Sequence, residues 1–176
     1  MISLEDLYKR FSDRLYNLLL RMLGDEDDAL DALQQTFLRA HRALRSFRED
    51  SKPYTWLYRI ALNCAYTALK RRSGRRHIGM FADAEGWRAD LPAVNEDVAE
   101  NVGKREVAQI VQEAIMRLPE DVRAAILLRD IEQLPYEEVA KILDVPVGTA
   151  KSRVHRGREL LKERLERVLG KEFVAD

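Results

Sequence analysis

The chain has 176 residues, 46% of them apolar and 34% charged, with 30 bases against 30 acids. That length holds one ordinary domain or two small ones, and the apolar share is enough to close a core. The single cysteine excludes an internal disulfide, and three scattered histidines form no zinc cluster. No apolar run approaches the ~20 residues of a membrane span, and MISLEDLYKRF carries early acids, unlike a signal peptide. A cytoplasmic protein with no metal or other cofactor and no membrane insertion is expected.

Ser3 is placed to cap a first helix with Leu4, Leu7, Tyr8, Phe11, Leu15, Leu18, Leu19 and Met22 at helical spacing, ending at Gly24. GDEDDA opens a second, with Leu30, Leu33, Phe37 and Leu44 along one stripe and carboxylates at its positive pole. SFREDSKP interrupts, because Pro53 disfavours helix at Lys52. A third helix carries Trp56, Leu57, Ile60, Cys64, Ala68 and Leu69 into KRRSGRR. Spacing assigns Trp56 to the core and leaves Tyr54 and Tyr58 undecided.

Between Ser73 and about Val102 the periodicity disappears, over a length usual for linkers or functional segments. It resumes with Val107, Ile110, Val111, Ala114, Ile115 and Leu118. Pro119 then reads as the first residue of a helix over PEDVRAAILLRDIEQ, and Pro135 repeats the device for YEEVAKIL. The turn DVPVG leads to a last helix reaching about Leu169. Strand-like alternation is absent. The expected fold is all-α: two small helical domains, 1–73 and 104–176, joined by a flexible acidic linker, 74–103.

Zero net charge hides an uneven distribution. From Ser51 to Ala82 every charged side chain is a base: Lys52, Arg59, Lys70, Arg71, Arg72, Arg75 and Arg76. In VGTAKSRVHRGRELL no acid precedes Glu159. There Lys151, Ser152, His155 and Arg156 fall at i, i+1, i+4 and i+5 and share one face, opposite Ala150 and Val154. For an arbitrary basic helix, a charged face in water is the ordinary explanation. A preceding short helix, a tight turn and an acid-free leading end favour a helix-turn-helix reading a major groove. Arg and Lys suit guanine edges, Ser a base or phosphate, and Thr149 can cap the helix or reach a phosphate. His155 on this face is a groove contact, not a metal ligand.

LPEDVRAAILLRDIEQLPYEEVAKILDVPVGTAKSRVHRGRELL resembles the promoter −35-binding domain of bacterial RNA polymerase sigma factors. DALDALQQTFLRAHRALRSFREDSKPYTWLYRIALNCAYTALKRR resembles their other obligatory domain. The order of the two, with no third domain between them, is similar to the extracytoplasmic-function group. The resemblance implies that Asp31, Gln34, Gln35 and Thr36 dock on the clamp helices of the largest polymerase subunit. It assigns Phe47 and Asn63 to capture of a flipped base of the −10 element, with Arg59, Lys70, Arg71 and Arg72 on phosphates. Asn offers donor and acceptor to a base edge, which helps offset the stacking lost on strand opening. Arg129, Thr149, Lys151, Ser152, His155 and Arg156 fall to the −35 element.

Core polymerase (clamp helices and flap), promoter DNA and an anti-sigma factor are the implied partners. The linker, able to span ~100 Å when extended, is implied to thread polymerase channels that otherwise hold nucleic acid. Departures from the common pattern are Leu30 for an acid, Pro135 for Ser or Thr, Ala150 for Val and Gly157 for Ala. His155 stands where members of the family vary. The alternative is a stand-alone helix-turn-helix regulator, which would need no polymerase-docking helix. An enzyme is disfavoured: the chain presents no nucleophile–base pair or phosphate-binding glycine loop, and GDEDD reads as a helix start.

Overall fold

The computed structural model describes residues 3–46, 52–78 and 98–171, with the backbone alone at 46, 75–78 and 98–102. Phe47 and the central acidic stretch 79–97 lie outside the described residues. Helix α1 (Leu4–Leu23) starts as expected: the Ser3 hydroxyl accepts from the Asp6 amide at 3.1 Å. It ends at Gly24, whose φ of 69° is costly for a residue with a Cβ and whose N–H reaches the Leu20 carbonyl at 2.7 Å. Asp25 caps α2 (Glu26–Ala43), accepting from the Asp28 amide at 2.9 Å, and a 3₁₀ turn, Leu44–Ser46, follows. Pro53 opens α3 (Pro53–Ile78), where its missing N–H has no helical partner to lose.

These helices bury Leu15, Leu18, Leu19, Leu23, Leu33, Phe37, Leu57 and Leu62. The stripe of α2 differs from the expected one. Ala29, Leu33, Phe37 and Ala40 face the core, while Leu30, a position round the helix, is 49% exposed. Trp56 is only half-buried, whereas Tyr58 is 1% exposed and belongs to the core.

The second group comprises α4 (Val98–Met116), α5 (Glu120–Ile126), a π turn (Leu127–Ile131), α6 (Tyr136–Leu143) and α7 (Val147–Leu169). α3 and α4 therefore extend into the segment 74–103 from either side. Pro119, Pro135 and Pro146 each stand one residue before their helices, in extended conformation with ψ of 142°, 152° and 149°. They do not occupy the first helical position expected of Pro119 and Pro135. At the cap position the carbonyl still serves the helix, accepting from Arg123, Val139 and Ala150 respectively. PEDVRAAILLRDIEQ is likewise not one regular helix. The Glu132 amide reaches back five residues to the Leu127 carbonyl at 2.9 Å, and Gln133 turns the chain at φ 56°.

α5 and α7 cross very closely at Gly157. A Cβ there would lie 2.4 Å from Ile126 Cγ1 and 3.0 Å from Val122 Cγ1. This close approach accounts for glycine at position 157. Gly157→Val is expected to destabilise the fold by about 2 kcal/mol, the usual cost of overpacking. Gly148→Ala, whose Cβ would meet nothing within 4 Å, serves as the control; thermal melts of both check the contrast.

Periodicity does not set the relative placement of the two groups, and the structure packs them together. One buried cluster runs from Leu15, Leu19 and Leu57 into Ile115, Leu127, Leu128 and Val139. Met116 rests against Gly24, Gln112 donates to the Arg21 carbonyl at 3.1 Å, and Arg123 donates to the Met22 carbonyl at 2.7 Å. Among the described residues no helix is long and apolar enough to cross a membrane.

Candidate nucleic-acid interface

α6 and α7 are joined through Asp144, whose left-handed φ of 55° ends α6. Val139, Ala140, Ala150 and Val154 are buried, with Leu143 and Val147 half-buried beside them, as the register predicts. On the opposite side Lys151, Ser152, His155 and Arg156 are all exposed. The Ser152 hydroxyl donates to the Thr149 carbonyl at 3.0 Å, and His155 Nε2 lies 3.3 Å from Glu159 Oε1.

The structure sorts the bases Lys151, Arg153, Arg156 and Arg158 at the leading end of this helix into two kinds. Arg153 is half-buried and paired with Asp121 at 3.3 Å, and Arg158 makes a forked pair with Asp130 at 2.6 and 3.0 Å. Both fasten α7 to its own domain. Lys151 and Arg156 point to the open side.

Arg129 sits on the π turn and donates to the Leu134 carbonyl at 2.9 Å. Its guanidinium lies 4.6 Å from the centre of the Tyr136 ring, and Lys151 Nζ lies 5.7 Å from the same centre. The Arg129 Nε is buried without a hydrogen-bond partner. Sequence reasoning missed Tyr136, although its place just after the helix-opening Pro135 put it beside the turn.

On α3, Asn63, Lys70 and Arg71 are exposed. Arg72 has another engagement: it binds Asp28 and donates to the Leu23 carbonyl at 3.0 Å, tying the end of α1 to the start of α2. Arg59 donates to the Lys141 carbonyl. The Thr55 hydroxyl donates to Glu138 at 2.7 Å, with Lys52 Nζ 3.0 Å from the same carboxylate. Burial raises the Glu138 carboxyl, but hydrogen bonds from Thr55 and Lys52 and the nearby lysine charges outweigh it, leaving it below the ordinary value. Tyr58 donates to Glu132 at 2.6 Å, and Arg14 reaches that oxygen at 2.9 Å. Burial and the Glu132 bond push the Tyr58 phenol up. Arg14, Thr55 and Tyr58 carried no signal in one-dimensional spacing.

On α2, Asp31, Gln34 and Gln35 are exposed together, flanked by Leu30 and Leu38 at 49% and 50% exposure. Thr36 is a correction to the expected docking set. It is fully buried, and its hydroxyl bonds the Ala32 carbonyl at 2.7 Å, because its position turns it onto the core side.

The Sigma-70 region 2 family pattern matches residues 7–75, and that of Sigma-70, region 4 matches residues 108–161. The chain is 39% identical over 164 residues to the ECF RNA polymerase sigma-E factor of Haemophilus influenzae, covering 91% of this chain and 86% of that one. It belongs to the extracytoplasmic-function RNA polymerase sigma factors. The Escherichia coli K12 sigma-E factor is 40% identical over 164 residues, with 91% and 85% covered. The Pseudomonas aeruginosa sigma-H factor is 38% identical over 167 residues, with 93% and 86% covered.

Among solved structures, this sigma factor is similar to RpoE of Bartonella quintana in complex with the anti-sigma factor NepR. The TM-score is 0.75 at 27% identity, over 92% of this chain and 96% of that one. CnrH, solved with the cytosolic domain of CnrY, has the same fold at a TM-score of 0.68 and 24% identity, with 93% and 88% covered. The fold of this sigma factor is all-α, with a helix-turn-helix in its second domain.

Proposed function

We propose that the sigma factor divides promoter reading between its domains. Lys151, Ser152, His155 and Arg156 of α7 read the −35 element, with Thr149 and Arg129 on the backbone. Asn63, Phe47 and the bases Arg59, Lys70 and Arg71 take the −10 element and help open it. Asp31, Gln34 and Gln35, with Leu30 and Leu38 beside them, dock on the polymerase clamp. The supporting observation is the open leading face of α7, which presents two bases and two hydrogen-bonding side chains while Arg153 and Arg158 are tied inward. The chain catalyses no bond chemistry of its own and works where core polymerase is found. An anti-sigma factor holds it in reserve, as NepR partners the Bartonella relative.

Transcription with core polymerase from a random promoter library tests this reading, with two separated sequence blocks as the expected enrichment. A stand-alone regulator would give no promoter-specific initiation by this route.

Tyr136 provides a finer prediction. If its ring positions Arg129 and Lys151, Tyr136→Leu should weaken −35-dependent initiation by about fivefold, the order of ~1 kcal/mol for a lost cation–π contact. Tyr136→Phe, which keeps the ring, should restore it. Equal losses in both variants would contradict the positioning role.

A further inference from the structure

Lys151 and Arg158 stand about two helical turns apart on α7 and share a flank, and both turn toward the chain between the π turn and α6. Arg158 forks onto Asp130 of the π turn, with Nη2 2.6 Å from one carboxylate oxygen and Nε 3.0 Å from the other. These bonds, with the Tyr136 hydroxyl beside them, raise the basicity of Arg158 despite partial burial. Arg129, the residue before Asp130, donates through Nη1 to the Leu134 carbonyl at 2.9 Å and lays its guanidinium 4.6 Å from the centre of the Tyr136 ring. Lys151 Nζ lies 5.7 Å from the same centre. A closed circuit results: Arg158 to Asp130, on to its neighbour Arg129, across Tyr136 to Lys151, and back along α7.

The backbone that carries Arg129 is unusual at two points. In the π turn the Glu132 amide bonds the carbonyl five residues back, at Leu127, and Gln133 follows at φ 56°, a costly region for a residue with a Cβ. Such a backbone persists only where its surroundings over-determine it, and it gathers at working sites. Here the bend brings the Leu134 carbonyl and the Tyr136 ring to the Arg129 guanidinium. That guanidinium is not saturated. Its Nε is buried without an acceptor, and Nη2 has none among the described residues. Held by the Tyr136 ring and through Nη1, the arginine thus keeps a terminal nitrogen for an oxygen outside the chain, and a phosphate suits it.

We propose that the Asp130–Arg158 pair is a positioning device for promoter binding: it braces the π turn so that Arg129 Nη2 meets a phosphate of the −35 element beside Lys151. The inference rests on the reading of Arg129 as a contact to the −35 backbone. Asp130 is thereby given a role opposite to its charge. An acid beside a DNA-reading face repels phosphate, so its removal alone tightens binding. A brace, once removed, loosens it. Arg158 acts through Asp130 and touches no base, which is why its loss leaves base preference unchanged.

In the test, holoenzyme made from core polymerase and the full chain is titrated onto a fluorescent duplex bearing a promoter recovered from library transcription. Asp130→Asn removes the charge and keeps the shape. It should weaken binding about fivefold and lower the slope of log affinity against log salt by about one, the loss of one phosphate contact. Arg129→Ala should do the same. Combined, the two changes should cost no more than Arg129→Ala alone, since the brace then has nothing to place.

Equal or tighter binding by Asp130→Asn, with the Arg129→Ala losses present, overturns the brace and leaves Arg129 on the backbone. Losses that add in the double variant also overturn it, since the pair then supports the domain alone. Unchanged affinity and slope in Arg129→Ala overturn the Arg129 reading and the inference with it. Should Asp130→Asn fail to fold, Arg158→Lys keeps the charge, removes the fork and serves in the same cycle.

Discussion

Arg123→Met is expected to lower the stability of the chain by about 3 kcal/mol, the largest effect of any single side chain considered. Arg123 is 5% exposed. Its guanidinium donates to the carbonyls of Met22 at 2.7 Å, Ile115 at 3.2 Å and Leu118 at 3.0 Å, and also to that of Met116. These carbonyls cluster where α1 and α4 end and carry partial negative charge, and that of Ile115 also accepts from the Leu118 amide at 3.1 Å. The planar fork of arginine can serve several of them at once, which a lysine cannot. Burial lowers the arginine's own basicity, and the nearby Glu120 charge offsets part of that.

Methionine keeps much of the volume and removes every donor. The carbonyls of Met22, Met116 and Leu118 then lose this donor, and Met22 loses its link to the second domain. For a chain of this length the loss corresponds to roughly 6–12 °C in Tm. Arg123→Lys should fall between the two. Thermal and urea melts measure the series, and a Tm for Arg123→Met within 2 °C (about 1 kcal/mol) of the unaltered chain would contradict the account.

Lys151→Ala and Arg156→Ala should each weaken −35-dependent initiation by about 5- to 150-fold, corresponding to ~1–3 kcal/mol for a base-edge contact. A side chain that contacts a base should relax selectivity at one promoter position. One that contacts only phosphate should weaken all promoters alike and reduce the salt dependence. Arg153→Ala and Arg158→Ala provide the contrast. Their partners are Asp121 and Asp130 within the same domain, so their loss should loosen the domain without changing base preference. Promoter-library transcription beside thermal melts separates these effects. Loss of selectivity in Arg153→Ala with unchanged stability would contradict the sorting of bases along α7.

The helices were legible because local rules decide them. Ser3, Gly24 and Pro53 do locally what their chemistry dictates, and the 3.6-residue period of Leu15, Leu18 and Leu19 marks a buried face. The exposed face of α7 was legible for the same reason, since spacing alone puts Lys151, Ser152, His155 and Arg156 together. Leu30 misled because an apolar residue next to the true stripe looks like part of it. Thr36 misled because it was carried over with the docking set that the resemblance implies, while its own angle on α2 points inward. The π turn was hidden, since one additional residue in a turn leaves composition unchanged.

What no periodicity could show is the meeting of distant residues. Thr55 finds Glu138 and Arg72 finds Asp28 only after the chain folds. Those contacts divide the bases of the first domain into latches and exposed groups. The Thr55–Glu138 contact also sets the two domains against each other.

Promoter-library transcription with core polymerase, run in parallel on the unaltered chain, Asn63→Ala and Arg156→Ala, tests division of promoter reading most directly. The account predicts two enriched blocks for the unaltered chain, with the upstream block blurred by Arg156→Ala and the downstream block by Asn63→Ala. Enrichment that either change disturbs in both blocks equally, or no enrichment for any of the three, would contradict it.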